Sequence, residues 1–326
     1  MLGAQGSPYL KTGEWQLSFG YRGLKSDNHF KGTVEQIQRH VDGTYKINHQ
    51  NLLDNAVTYA VNRQWNVTLS VPLVAASRSN KLTGAGRFLE SADGLGDISL
   101  TGRYWLLNTE RRRNGNVSLG LGLQAPTGND DVTNNFPNPK VPNGTFKKAV
   151  DSSVQPGSGG WGTLFDMQAF HGVGKGTLFF SGLYLASLRS TNGTFSSTAA
   201  PNAVPDQFLA RLGGAVPLPH VNGLVLSLAA RAEGVPRKNL FTGSGGFRRP
   251  GHSVFIEPGL ILSRGLSTWA ISVPVAVHRQ TYRSNLTDQL QDATLADYMV
   301  LVSYSRRFGG APRHAPKRLP PAPAAK

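Results

Sequence analysis

The chain has 326 residues, 38 of them glycine, with no cysteine and a formal net charge of +15. No stretch approaches ~18 consecutive apolar residues, which excludes a membrane-crossing helix but not a barrel that crosses with alternating strands. The missing cysteines exclude disulfides, thiolate metal sites and cysteine nucleophiles.

The first twelve residues, opening "MLGAQGSPYL", show neither the basic nor the apolar region of a signal peptide and read as an N-terminal periplasmic segment. The first strand follows, with Trp15, Leu17, Phe19 and Tyr21 on one face and Glu14, Gln16 and Arg22 on the other. Successive strand side chains point to opposite faces, so this alternation is a strand signal. Residues 48–61 repeat it with Leu53, Val57 and Tyr59. After the turn "VNRQ", residues 64–76 set Trp65, Val67, Leu69 and Val71 against Asn66, Thr68 and Ser70. Residues 96–108 oppose Leu100, Tyr104 and Leu106 to Asp97 and Arg103. In "GNVSLGLGLQAPTG", residues 115–128, Val117, Leu119, Leu121 and Leu123 alternate with Ser118, Gly120, Gly122 and Gln124. Seven further strands are expected near 161–171, 176–188, 206–218, 223–235, 252–264, 266–280 and 296–308.

The connections alternate in length. Those at 61–64, 108–116, 171–176, 219–223 and 263–267 are short; those at 25–47, 77–95, 127–160, 189–205, 236–251 and 281–295 are long. Twelve antiparallel strands with every long loop at one end describe an all-β, up-and-down transmembrane barrel with short periplasmic turns and long extracellular loops. The barrel is expected over 13–308. The segment "GGAPRHAPKRLPPAPAAK", 309–326, reads as a disordered Pro/Ala-rich basic tail. Aromatics support the same arrangement: Trp15, Tyr59, Trp65, Tyr104, Trp269 and Phe308 all fall at the short-turn edge, where a lipid-facing girdle belongs. Tyr21, Tyr184 and Tyr298 fall at the other. A soluble β-sandwich is the competing fold, and it would bury the leucines of 115–128 between two sheets.

The segments "DGLGDISLTGRYWLL" and "NVSLGLGLQAPTG", 93–128, resemble the meta-pathway phenol-degradation family of bacterial outer-membrane proteins, which carry G-L-G-D, a short turn, and a strand ending in P-T-G. "YAVNRQWNVTLSVPL", 59–73, is similar to the strand pair preceding these in that family. The resemblance implies a bacterial outer-membrane barrel, a channel or transporter associated with aromatic compounds. It carries over no catalytic residues.

A twelve-strand barrel has a backbone diameter of roughly 24 Å. Its lumen is expected to hold Glu14, Gln16, Arg22, Asn66, Thr68, Asp97, Arg103, Gln124, Asp166, Gln168, Arg211, Arg231, Glu233, Glu257 and His278. Both charge signs occur, so the residues either shape a small polar conduit or fill a closed barrel as structural ion pairs. Loop 127–160 is the candidate constriction if it folds inward, or an adhesive surface if it does not. A lipid-modifying enzyme is a weaker alternative: His252 and His278 lie near the outer rim beside Ser253, but the His-x-Ser-Asn-Gly segment of outer-membrane phospholipases is absent. "GVGKGT" at 172–177 departs from a phosphate-binding loop at Ala169 and Gly176. The acidic stretches "SADGLGD" and "GNDDVTN" match no EF-hand, and neither a metal nor a cofactor is expected. The charge brings no RNA-binding motif or zinc knuckle with it, so nucleic acid is not expected as a partner. Outer-membrane lipids, lipopolysaccharide and a small solute are.

Overall fold

A computed structural model of the chain describes residues 9–82, 86–112, 114–138, 140–195 and 198–310. Most of the N-terminal segment and nearly all of the tail expected at 309–326 lie outside the described residues, as does Arg113. Twelve antiparallel strands form one closed sheet. They are β1 (Glu14–Ser26), β2 (Ile47–Ala60), β3 (Trp65–Leu82), β4 (Gly86–Leu95 and Ser99–Trp105), β5 (Gly115–Gln124) and β6 (Gly162–Val173) in the first half. The second half holds β7 (Gly176–Ser187), β8 (Gln207–Pro217), β9 (Leu224–Val235), β10 (Gly251–Arg264), β11 (Ser267–Ser272 and Val275–Thr281) and β12 (Met299–Gly309). Each pairs with its sequence neighbours, and β1 pairs with β12 from Glu14↔Gly309 to Leu24↔Met299, closing the ring. Closure pairs the first strand with the last, as membrane-spanning sheets require because lipid offers no hydrogen bonds.

The alternating pattern settles which face is which. Leu119, Leu121 and Leu123 are 50%, 61% and 54% exposed, whereas Ser118, next to Leu119, is fully buried. Exposed leucines beside a buried serine invert the soluble arrangement. Burying ~25 cal/mol per Å² of such apolar surface is what drives these side chains into lipid rather than water. Around the short-turn end the outward aromatics pair across strands: Trp15 with Tyr59, Trp65 with Tyr104 and Trp269 with Tyr304 have ring centroids 4.6, 4.9 and 4.2 Å apart. Phe308 pairs in register with Trp15.

Three strands differ from their expected form. The segment 77–95 is not a long coil. β3 runs on to Leu82 and pairs with Gly86–Leu95 from Leu73↔Leu95 to Leu82↔Gly86, so a hairpin continues beyond the neighbouring strands. Polar residues on both of its faces hide this from hydropathy. β4 then breaks between Leu95 and Ser99, where the Gly96 amide bonds the Pro72 carbonyl at 2.8 Å. β11 breaks at Val273 and Pro274, because proline lacks the amide that a ladder needs. At the long-loop end, a small sheet of Asn28–Lys31, Val34–Glu35 and Asp292–Leu295 and a hairpin of Thr133–Pro137 and Thr145–Ala149 stand over the mouth.

Candidate functional site

Because alternate strand residues face inward, the barrel interior collects the polar set. Ser118, Thr68, Asn66, Ser227, Ser303 and Ser305 are all buried there. Across the middle runs a band of charge. Arg22 of β1 reaches Glu233 of β9 on the far wall, Nη2 to Oε1 2.6 Å. Arg231 donates from Nε (2.9 Å) and Nη2 (2.6 Å) to the other oxygen of Glu233. Arg231 also lies 3.6 Å from Glu257, which Arg211 pairs at 2.8 Å. On the opposite side Arg103 of β4 bonds Asp166 of β6 at 2.7 Å. Arg231 and Glu257 are 1% and 2% exposed, so charges of both signs sit together out of water, where only pairing makes them tolerable. The guanidinium of Arg211 lies over the Phe179 ring, 4.7 Å from its centroid.

Glycine makes room for this. A Cβ on Gly120 would stand 3.0 Å from the Asp166 Cβ, so a side chain there would crowd the Arg103–Asp166 pair. The bare face of "SLGLGLQ" therefore borders the charged band. Next to the band is an apolar patch in which Phe255, Met299 and Leu301 pack with Leu24 and Ala276, all on the interior.

Above the band, the long connection between β5 and β6 turns into the barrel. Val150 and Val154 are buried against Ala76 and Ala92 of β3 and β4. Asp151 ties this segment down: it pairs with Arg78 of β3, and with Arg249 from the β9–β10 connection at 2.7 Å. Its amide donates to Glu90 Oε2 at 2.9 Å. Gln50 bonds the Ser153 carbonyl at 2.8 Å, and Ser158 bonds Asp97 through both amide (2.9 Å) and hydroxyl (2.6 Å). The return leg passes so near the outgoing one that a Cβ on Gly157 would lie 2.1 Å from the Gly128 carbonyl oxygen. Lys46 sits beside this cluster. Burial, with Arg78 and Arg249 nearby, lowers its ammonium to about 8.

The short-turn end is closed differently. The Tyr9 ring lies edge-on to Trp105 and Phe170, at 5.0 and 5.6 Å. Its hydroxyl donates to the Arg112 carbonyl (2.8 Å) and accepts from Asn116 (2.9 Å), and its carbonyl accepts from Arg307 (3.2 Å).

Of the expected lumen residues, Glu14, Gln16, Arg22, Asn66, Thr68, Arg103, Gln124, Asp166, Gln168, Arg211, Arg231, Glu233 and Glu257 lie on inward-facing strand positions, and Asp97 lies at the β4 break against Gln124 (3.2 Å). His278 does not. A bulge opposite Val254 and Phe255 shifts the register, so Ala276 joins the interior and His278 pairs with outward-facing Val254. The His278 ring instead lies tilted against that of His252, centroids 5.4 Å apart, and the His252 Nδ1 shares a hydrogen bond with the Tyr282 hydroxyl at 2.6 Å. Ser253, adjacent to His252 in sequence, is buried on the other face of the strand. The two therefore diverge rather than forming a nucleophile and base. Asp151, Arg78, Glu90, Arg249 and Trp105 take part in the interior without having been expected there.

Residues 58–164 match the model of a family described as "Putative MetA-pathway of phenol degradation". The resemblance to that family holds over β3, β4, β5 and the inward connection. Among solved structures, an outer-membrane channel from Pseudomonas putida F1 is 14% identical, with 94% of this chain and 100% of that one covered at a TM-score of 0.65. The two share a fold. The P. putida toluene transporter TodX aligns at 12% identity over 93% of this chain and 92% of its own, TM-score 0.44. The CymD monoaromatic hydrocarbon channel aligns at 11% over 92% and 90%, TM-score 0.47. No curated protein matches the chain.

Proposed function

We propose that the protein is a channel of the bacterial outer membrane that passes small solutes, hydrophobic or aromatic ones among them. The observation that carries this is the inverted barrel: leucines outside, and inside a polar interior narrowed by the Arg22–Glu233 bridge and the Asp151 segment. The lumen is the route, and the inward-facing residues named above line it. The short turns then face the periplasm and the long loops the exterior. Lipid and lipopolysaccharide contact the wall. The family description and the channel from P. putida F1 point the same way. The divergence of His252 and Ser253 supports a transport role over lipid hydrolysis. With residues 150–158 turned inward, the β5–β6 connection serves as a constriction rather than an adhesive arm.

A specific feature supports hydrophobic cargo. The Gly86–Leu95 segment pairs with β3 on one edge, and among the described residues no barrel strand pairs with the other. Side chains of the surface hairpin cover it in part, Asn134 bonding the Ser91 backbone at 2.9 and 3.2 Å and Phe136 packing on Phe88 with ring centroids 4.7 Å apart. With the lumen crossed by charge below, an apolar solute entering the mouth has an exit into lipid through this part of the wall. Proteoliposomes measure it: uptake of radiolabelled toluene and of a polar sugar of similar size is expected to favour toluene. Equal rates with and without protein for both solutes would end the proposal.

A further inference from the structure

The connections between β7 and β8 and between β9 and β10 meet beside the mouth, and their shared core contains an arginine used by neither the ion band nor the Asp151 cluster. Arg248 is 3% exposed. Its Nη1 donates to Asn239 Oδ1 at 2.5 Å. Asn239 is itself fixed: it also accepts the Asp206 amide (3.1 Å), and its amide group donates to the Val204 carbonyl (3.0 Å) and Thr242 Oγ1 (2.8 Å). The guanidinium is thus held by one corner. Its Nε and Nη2 are buried and have no acceptor among the described residues.

These two groups share one edge of the guanidinium and point the same way, which is the edge that grips a carboxylate or phosphate side-on. The same molecule shows how the edge is used elsewhere. Arg231 sets Nε and Nη2 on Glu233, and Arg39 sets Nε (2.7 Å) and Nη2 on Asp292. Asp206 is near enough to Arg248 to offset part of its charge, but its oxygens are taken by the Ser187 amide (2.7 Å), the Tyr184 hydroxyl (2.8 Å) and the Leu240 amide (2.7 Å). A buried donor edge without an acceptor is costly, and an oxyanion admitted as the two surface connections part would relieve that cost.

Leu240 and Phe241, next to Asn239, are 60% and 58% exposed. The Phe241 ring stands 6.3 Å from Phe165, whose strand position faces outward to lipid. The loop that holds Asn239 therefore carries an exposed apolar pair that reaches the lipid-facing wall at Phe165. We propose that Arg248 anchors an oxyanion site in this loop cluster, taking the carboxylate or phosphate head of a small or amphiphilic ligand through Nε and Nη2. The site uses none of the lumen charges named above, and it stands whether or not the channel reading does.

The test uses the full chain, labelled with ¹⁵N-arginine and folded in neutral detergent. The Nε resonance of Arg248, identified by its loss in Arg248→Lys, is followed during titration with benzoate, inorganic phosphate and, as an uncharged match to benzoate, benzyl alcohol. A saturable shift with either oxyanion and none with benzyl alcohol is expected. Calorimetry is expected to show binding weakened at least tenfold in Arg248→Gln and less in Arg248→Lys. Should Arg248→Gln fail to fold, Asn239→Ala, which releases the anchored corner, is expected to weaken binding in the same assay. Nanodiscs of anionic and of zwitterionic lipid separate the sources. A shift with anionic lipid alone supports the site with a headgroup as its ligand, and a shift with benzoate or phosphate supports it for a free solute. No shift with any oxyanion, an equal shift with benzyl alcohol, or unchanged affinity in folded Arg248→Gln would overturn it.

Discussion

In the mid-barrel band, Arg22, Arg103, Asp166, Arg211, Arg231, Glu233 and Glu257 all stand on barrel strands, each with a ladder partner on both sides except Glu257, which faces the β11 break on one. At the long-loop end the corresponding charges come partly from connections: Asp151 and Arg249 lie on loops, and only Arg78 and Glu90 lie on the wall. Both regions narrow the same lumen with buried ion pairs. They differ in what must move to open it. Breaking the band means displacing side chains against a rigid sheet, whereas releasing Asp151 lets a segment of chain swing. A barrel built this way keeps its permanent narrowing in the wall and its adjustable narrowing in a loop.

The largest expected effect comes from the band. Glu233→Ala strips the partner from Arg22 and from one edge of Arg231, and unpairing buried charges costs about 3–5 kcal/mol. The measurement is the urea midpoint of heat-modifiable gel migration, and a band that carries its charges unstrained would leave it unmoved. Next is Asp151→Asn. It weakens the hold of Arg78 and Arg249 on the loop, so stability is expected to fall by only about 1–3 kcal/mol, while single-channel conductance rises several-fold. If conductance stays level, the loop is not the adjustable element.

Gly157→Ala is expected to act through geometry alone. Its Cβ would collide with the Gly128 carbonyl, so the return leg must shift, at a cost of about 1–3 kcal/mol. Protease cutting within 127–160 should increase, and equal cutting would show that the close approach is not needed. The smallest effect is that of pH. Lys46 has its folded pKa lowered from 10.5 to about 8. Between those values the unfolded chain holds the proton and the folded chain does not, so stability of the loop end rises as pH increases from about 8 toward 10.5. Deprotonation also removes repulsion from Arg78 and Arg249. Amide exchange in 149–158 is expected to slow, after correction for intrinsic rates, across that window. Lys46→Met should flatten the dependence, whereas the mid-band ladders should show none.

The same contrast explains what the sequence made legible. Strand parity depends only on adjacent residues, so the inward set from Glu14 to Glu257 could be read directly, and so could the outward girdle. His278 escaped because one bulge reverses parity and nothing local marks it. Arg78 and Glu90 were hidden in a stretch whose polar character reads as loop, although it forms the upper hairpin. Asp151 and Arg249 are 98 residues apart, and their meeting depends on how two connections fold over a mouth. Tyr9 and Trp105 were obscure for a related reason: an aromatic at a strand end reads equally as girdle or as interior plug.

In the proposed channel the barrel interior conducts solute and the inward connection limits it. Planar-bilayer recording of the wild-type protein and of Asp151→Asn tests this most directly. Small, discrete conductance steps are expected for the wild type and several-fold larger steps for Asp151→Asn. Currents at the lipid background for both proteins, with folding shown by heat-modifiable migration, would contradict it.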